Sequence, residues 1–281
     1  FITVLATTGV LIVLALLSVF LPVNDLNIAG MTMSVYNLIS QYILIIGSIV
    51  ALVFLAVAGN EKRAAAGLTR QNWKSAVLIV LAFVGIYIVR TVVSVAVQGV
   101  SDGSGMQYVK EWAAMFKNPM MWLNIAALPI NYFFVFIAFF GEEYGWRYYL
   151  QPVLQKRFGL RAGVIILGVV WGLWHIPDDL FYYTQTSGIQ MIFAQQITCI
   201  SLGIFFAYAY MKTQNIWVPV CLHYLNNNLI PIISGTFSAD VLENQTVSWK
   251  DLPVALVLNG LCFGFFLLAD VFKKKEVQEE E

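Results

Sequence analysis

The chain is organised as a series of apolar runs, each about 20 residues long, separated by short polar segments. They lie near residues 2–23, 35–58, 75–98, 124–151, 162–182, 189–211, 215–235 and 252–272. Runs of this kind predict membrane-spanning helices, because ~20 residues rising ~1.5 Å each cross a hydrocarbon layer of ~30 Å. The first run continues past signal-peptide length without a small-residue cleavage pattern, so it reads as a span. The expectation is an all-α polytopic membrane protein with about eight transmembrane helices. No internal repeat or low-complexity tract breaks the series, and 1–281 reads as one membrane-embedded domain with its core motifs between 142 and 227.

Composition supports the pattern. Of 281 residues, 59% are hydrophobic and 11% charged, where a soluble domain would carry about a quarter charged residues. A formal net charge of zero gives no attraction for nucleic acid. Cys199, Cys221 and Cys262 all lie in apolar runs and read as small core residues rather than a disulfide framework.

The basic residues set an orientation. With a cytoplasmic N-terminus, the inner segments hold Lys62, Arg63, Arg70, Lys74, Arg147, Lys156, Arg157, Arg161, Lys212, Lys273, Lys274 and Lys275, while the outer loops hold only Lys110, Lys117 and Lys250. This bias predicts a multi-pass protein with both termini cytoplasmic, in the plasma membrane of a prokaryote. The basic linkers 59–74 and 153–163 read as pieces lying along the inner surface.

Ionisable groups inside spans are costly and mark functional positions by default. Here they are Arg90, Glu142, Glu143, Arg147, His175 and His223, with Asp178, Asp179 and Asp270 near span ends; both histidines of the chain are among them. If the fourth span ends near Gln151, before Pro152, Glu142 lies ~14 Å from the inner surface; His175 lies ~21 Å in, His223 ~12 Å and Asn227 ~18 Å. Groups from three helices thus fall at similar depth, which predicts one shared site. His223 and Asn227 are four residues apart and share a helix face, as do Trp171 and His175. Glu143 and Arg147 have the same spacing in the favourable acid-before-base order, so Arg147 is expected to neutralise Glu143 and leave Glu142 facing a cavity. A Glu and a His can hold and deprotonate a water, while a second His and an Asn amide can donate to an oxyanion. Asn226 is a possible substitute for Asn227 as donor. Arg90 is expected to pair with Asp178, Asp179 or Glu143, and the aromatic residues to serve mainly as lipid contact. No cofactor is expected. The alternative is zinc held by Glu142, His175 and His223 with a fourth position open to water, although no H-E-x-x-H is present.

Three motifs now stand in order: "EEYGWR" at 142–147, "WGLWH" at 171–175 and "HYLNN" at 223–227. Read as E-E-x-x-x-R, aromatic-x-x-x-His and H-x-x-x-N, they resemble the type 2 CAAX prenyl endopeptidase family, also called CAAX-protease and bacteriocin-processing or abortive-infection-like proteins. The resemblance implies a glutamate-dependent intramembrane endopeptidase whose cavity opens to the cytoplasm. It implies that Glu142 with His175 activates water, that His223 and Asn227 stabilise the oxyanion, and that Glu143 and Arg147 support them. The implied partners are the lipid bilayer and a membrane-associated peptide or lipidated protein substrate. A non-proteolytic peptide-binding immunity or scaffold protein is the alternative of another class. This sequence departs from the family in having Tyr148 where Gly often follows the motif Arg, which is expected to narrow or reshape the cavity.

Overall fold

The structure is a computed structural model that describes residues 2–28, 31–59, 67–68, 71–101, 103–104, 106–235 and 244–273. Lys62, Arg63, Arg70, Lys274 and Lys275, and with them much of the basic argument for orientation and for the 59–74 linker, lie outside the described residues. The described chain is helical apart from one short antiparallel hairpin, β1 (Leu26–Ile28) with β2 (Met31–Met33). The helices are α1 (Ile2–Phe20), α2 (Val35–Val57), α3 (Trp73–Ser101), α4 (Gln107–Met115) and α5 (Pro119–Glu143), then α6 (Gln151–Phe158), α7 (Leu160–Trp174), α8 (Ile176–Phe181), α9 (Gly188–Thr213), α10 (Trp217–Ser234) and α11 (Asp251–Cys262). The fold is that of an all-α polytopic membrane protein.

Five described stretches are long and apolar enough to cross a membrane: Val35–Val57, Trp73–Ser101, Pro119–Phe158, Leu160–Phe181 and Gly188–Thr213. The expected eight are not all of this kind. The first and last expected spans contain the shorter apolar helices Leu5–Phe20 and Asp251–Cys262. The last was expected to run to 272, but α11 stops at Cys262 and 3-10 turns follow over Gly264–Leu268 and Asp270–Phe272. α10 has 18 residues, yet His223, Asn226, Asn227 and Asn228 dilute its apolar character.

Two departures from regular helix frame the centre of the molecule. The fourth expected span does not end before Pro152. A π-helical segment, Tyr144–Leu150, joins α5 to α6, and the Gln151 N–H bonds the Trp146 carbonyl five residues back. This widened turn shifts the hydrogen-bond register just where Pro152 cannot donate, so the chain stays helical to Phe158. Gly159, with φ +86, then reverses the chain into α7. The α6–α7 hairpin is close: a Cβ at Gly163 would stand 2.6 Å from the Gln155 nitrogen. The second departure is at His175, where α7 ends and α8 begins with Pro177 in its first turn. Pro177 has no N–H for the helical ladder, and the His175 N–H closes a tighter turn onto the Gly172 carbonyl.

The buried core gathers α3, α7, α9, α10 and the chain after α11 around Phe83, Tyr87, Trp171, Phe205, Phe206 and Phe263. Small residues permit the closest approach: Gly168 of α7 would meet the Ile200 Cα of α9 at 2.6 Å if it carried a Cβ, and Gly203 faces Gly168 in turn. The outward faces of α1, α2, α3 and α5 carry exposed Val, Leu, Ile and Phe, as helices bathed in hydrocarbon do.

Candidate active site

The motif residues come from three neighbouring elements. Glu142 and Glu143 are the last residues of α5, Arg147 lies in the π segment, His175 caps α7, and His223 is in the first half of α10. Because α6 and α7 fold back at Gly159, the chain before the turn runs beside the chain after it. Glu142 is 17 residues before Gly159 and His175 is 16 after it, so the hairpin brings the two to one level.

The expected Glu143–Arg147 pair forms, with Arg147 Nε 3.2 Å from Glu143 Oε2 and both side chains fully buried. The guanidinium also lies against two aromatic rings, 4.6 Å from Trp171 and 5.1 Å from Phe206. Sequence reasoning missed the other half of this cluster: Glu143 Oε1 accepts a 2.8 Å hydrogen bond from His223 Nδ1. Glu143 therefore holds a guanidinium on one oxygen and an imidazole on the other. The depth estimate put these residues near one another, but no spacing within a helix could report a bond between helices.

Glu142 differs from its neighbour. Its Oε2 is buried and makes no well-directed hydrogen bond among the described residues; the indole nitrogen of Trp146 one turn along, likewise without a well-directed bond, is the side-chain donor within reach of the carboxylate. His223, Glu143 and Arg147 all lie within electrostatic reach of Glu142.

Each histidine is oriented through Nδ1. His175 Nδ1 lies 2.8 Å from the Trp171 carbonyl oxygen. A carbonyl only accepts, so Nδ1 carries the proton and Nε2 keeps its lone pair. His223 Nδ1 donates to a carboxylate instead. A neutral His223 would also present a lone pair at Nε2, whereas the doubly protonated ring donates from both nitrogens, with Glu143 as its counter-ion. The rings pack edge-on: His175 lies 5.9 Å and His223 5.5 Å from Trp171, and His223 lies 5.1 Å from Phe139. The Cys199 sulfur is 3.8 Å from His175 Nδ1.

Asn227 is not drawn into this cluster. Its side chain is exposed on α10, and its Oδ1 accepts a 2.8 Å bond from Asn226 Nδ2. Asn226 Oδ1 in turn accepts from the Tyr87 hydroxyl of α3. The amide nitrogen of Asn227 is the side chain's donor group, and Oδ1 keeps a second lone pair. Asn226 bonds both Tyr87 and Asn227 and keeps a second amide N–H.

Other expectations need correcting. Arg90 has no carboxylate partner among the described residues; its Nε donates to Asn259 Oδ1 at 2.8 Å. Asp179 is buried, with neither oxygen hydrogen-bonded. Tyr148 does not stand with Glu143 and Arg147. It stacks on Tyr144 at 4.6 Å, continuing a column through Phe140 to Trp217, and its ring lies against Gly67 of the first linker. The aromatic residues thus build internal structure as well as lipid-facing surface. Among the described residues, no three His, Cys, Asp or Glu side chains are arranged as a metal-ligand set.

Residues 124–229 match the family model described as type II CAAX prenyl endopeptidase Rce1-like. A relative named CAAX prenyl protease 2, from Methanococcus maripaludis, is 27% identical over 125 residues. That alignment covers 41% of this chain and 45% of the relative, so the chain matches less than half of the relative's length. No solved structure matches the chain. Every motif residue of the site falls inside the matched segment, so the site lies in the part of the chain that is similar to the type II CAAX prenyl endopeptidase Rce1-like family.

Proposed function

We propose that this protein is an intramembrane endopeptidase that hydrolyses a peptide bond in a membrane-associated peptide or a C-terminal CAAX-like substrate, using Glu142 to activate water. The observation that carries the reading is the contrast between the two adjacent carboxylates. Glu143 has Arg147 at ion-pair distance from one oxygen and a hydrogen bond from His223 on the other, whereas Glu142 has a buried oxygen with neither among the described residues. A carboxylate in that condition is suited to taking a proton.

In this reading the water lies between Glu142 and the lone pair of His175 Nε2. The water oxygen attacks the substrate carbonyl carbon as its proton passes to Glu142. The carbonyl oxygen becomes the oxyanion and receives hydrogen bonds from His223 Nε2–H, in the doubly protonated ring, and from the Asn227 amide. The carbon–nitrogen bond then breaks, and Glu142 returns the proton to the departing amine. Glu143 orients His223 and supplies its counter-charge, while Arg147 holds Glu143. No step needs a covalent enzyme intermediate.

Orientation and location belong to the same proposal: a plasma membrane, cytoplasmic termini, and a site approached from the cytoplasmic side. The described basic residues Lys156, Arg157, Arg161, Lys212 and Lys273 near one end of the helices support it.

The test is mass spectrometry of a farnesylated peptide probe incubated with the purified protein in nanodiscs. Appearance of a new C-terminus at the farnesylated cysteine supports proteolysis. Binding of the intact probe without any product would overturn it in favour of a peptide-binding immunity or scaffold role.

A further inference from the structure

Arg90 is an intramembrane cation that the chemistry above does not use. It lies 17 residues after Trp73 and 11 before Ser101 in α3, roughly 25 Å and 16 Å from the two ends of that helix. The side chain is half-buried. No carboxylate lies within ion-pair distance of it among the described residues. A guanidinium so deep in a span requires an anion or a set of acceptors, and Asn259 provides one acceptor only.

That single contact is informative. Asn259 Oδ1 holds Arg90 Nε at 2.8 Å. Fixing Nε leaves the two terminal Nη groups as an end-on pair of donors, the geometry that matches the two oxygens of a carboxylate. The amide nitrogen of Asn259, itself 3% exposed, has no hydrogen-bond partner. Arg90 and Asn259 therefore offer a surplus of donors side by side.

The position relative to the candidate site completes the argument. The guanidinium lies 5.8 Å from the Tyr87 ring centroid. Tyr87 donates to Asn226, and Asn226 to Asn227. Two side chains, Tyr87 and Asn226, thus stand between Arg90 and the amide assigned to the oxyanion. An extended peptide whose scissile carbonyl sits at Asn227 would run past Asn226 and Tyr87 and carry its anionic C-terminal end toward Arg90.

We propose that Arg90, oriented by Asn259, binds the C-terminal carboxylate of the substrate. The inference rests on the peptidase reading above. It assigns Arg90 a contact with substrate, and Asn259 and Tyr87 the task of positioning. A lipid phosphate is the other anion within a membrane, but Arg90 lies roughly 25 Å and 16 Å from the two ends of its helix, away from the headgroup level.

The test uses the full chain in nanodiscs and two probes: a peptide with a farnesylated cysteine three residues from its end, closed by a free carboxylate or by a carboxamide. Binding is measured on the Glu142→Gln protein and cleavage on protein with Glu142 intact. Amidation should weaken binding roughly 10- to 100-fold, the worth of a charge-assisted hydrogen-bond pair. Arg90→Gln should weaken the carboxylate probe by a similar factor and leave the carboxamide probe within about twofold, so that the two changes are non-additive. Arg90→Lys, which keeps the charge but loses the fork, should fall between. Thermal unfolding of each variant establishes that it is folded.

Equal affinity for the two probes, equal loss on both in Arg90→Gln, or binding of neither would overturn the proposal. So would an Arg90→Gln effect that vanishes when anionic lipid is left out of the nanodiscs, which would assign Arg90 to a lipid phosphate. The two readings fail separately. Glu142-dependent cleavage that is indifferent to amidation removes the carboxylate anchor alone. Carboxylate-dependent binding through Arg90 without cleavage removes the peptidase alone.

Discussion

The two adjacent glutamates differ in what each touches. Glu143 is shared between a buried guanidinium and an imidazole, so Glu143→Gln should leave an uncompensated buried Arg147 and cost about 3–5 kcal/mol of stability. A marked fall in the thermal unfolding temperature in detergent would show it; an unchanged unfolding profile would count against the triad. Glu142 has no ion-pair partner among the described residues, so Glu142→Gln should unfold close to wild type while losing cleavage. Asn227→Ala should lower kcat by roughly 10²–10³ with little change in KM, as removal of one oxyanion donor does; steady-state kinetics on a single peptide would separate the two constants. Much of this was legible in the sequence, because the Glu143–Arg147 pair is local and a spacing of four along one helix reports it. The His223–Glu143 bond was not, since it depends on how two helices are rotated about their axes. Arg90 shows the same limit. Its need for a partner was readable, but the partner proved to be the Asn259 amide, from a helix 169 residues away in sequence.

Irregular segments position the site among otherwise regular helices. The π segment after Glu143 and the break at His175 each lie beside a proline, Pro152 and Pro177. Pro177 stands in the sequence, yet a proline signals a boundary without saying which side chain the break will aim. Pro177→Ala should let α7 run into α8 and turn His175 away from its bond to the Trp171 carbonyl. Misplacement of a catalytic group by about an ångström costs up to ~10²-fold in rate, so kcat should fall with unfolding little changed. Packing between α7 and α9 offers a contrasting prediction. A Cβ at Gly168 would meet the Ile200 backbone at 2.6 Å, whereas one at Gly172 would meet the far end of the Gln196 side chain. Gly168→Ala should therefore cost about 1–3 kcal/mol by overpacking, and Gly172→Ala less, because Gln196 can swing away. Thermal unfolding of the two variants side by side tests the order. The π segment itself was beyond reading from sequence: nothing in "YGWRYYL" distinguishes a five-residue from a four-residue hydrogen-bond register.

At the scale of the whole molecule, the apolar periodicity gave the class and the approximate helix boundaries. Counting spans was less secure, because α1 and α11 are short and α10 gives up apolar character to carry His223 and three asparagines. A helix that furnishes a polar site inside a membrane weakens the signal by which helices are found. Orientation has its own check: a single cysteine placed at Lys273 should react with an impermeant thiol reagent from the cytoplasmic face, and one at Asp25 from the other. The molecule's central claim is that Glu142 makes a water into the nucleophile. The most direct measurement is the initial rate of cleavage of one peptide by wild-type and Glu142→Gln protein with matched unfolding temperatures. General-base catalysis predicts a loss of about 10²–10⁴-fold; cleavage by the variant at near the wild-type rate would contradict the account.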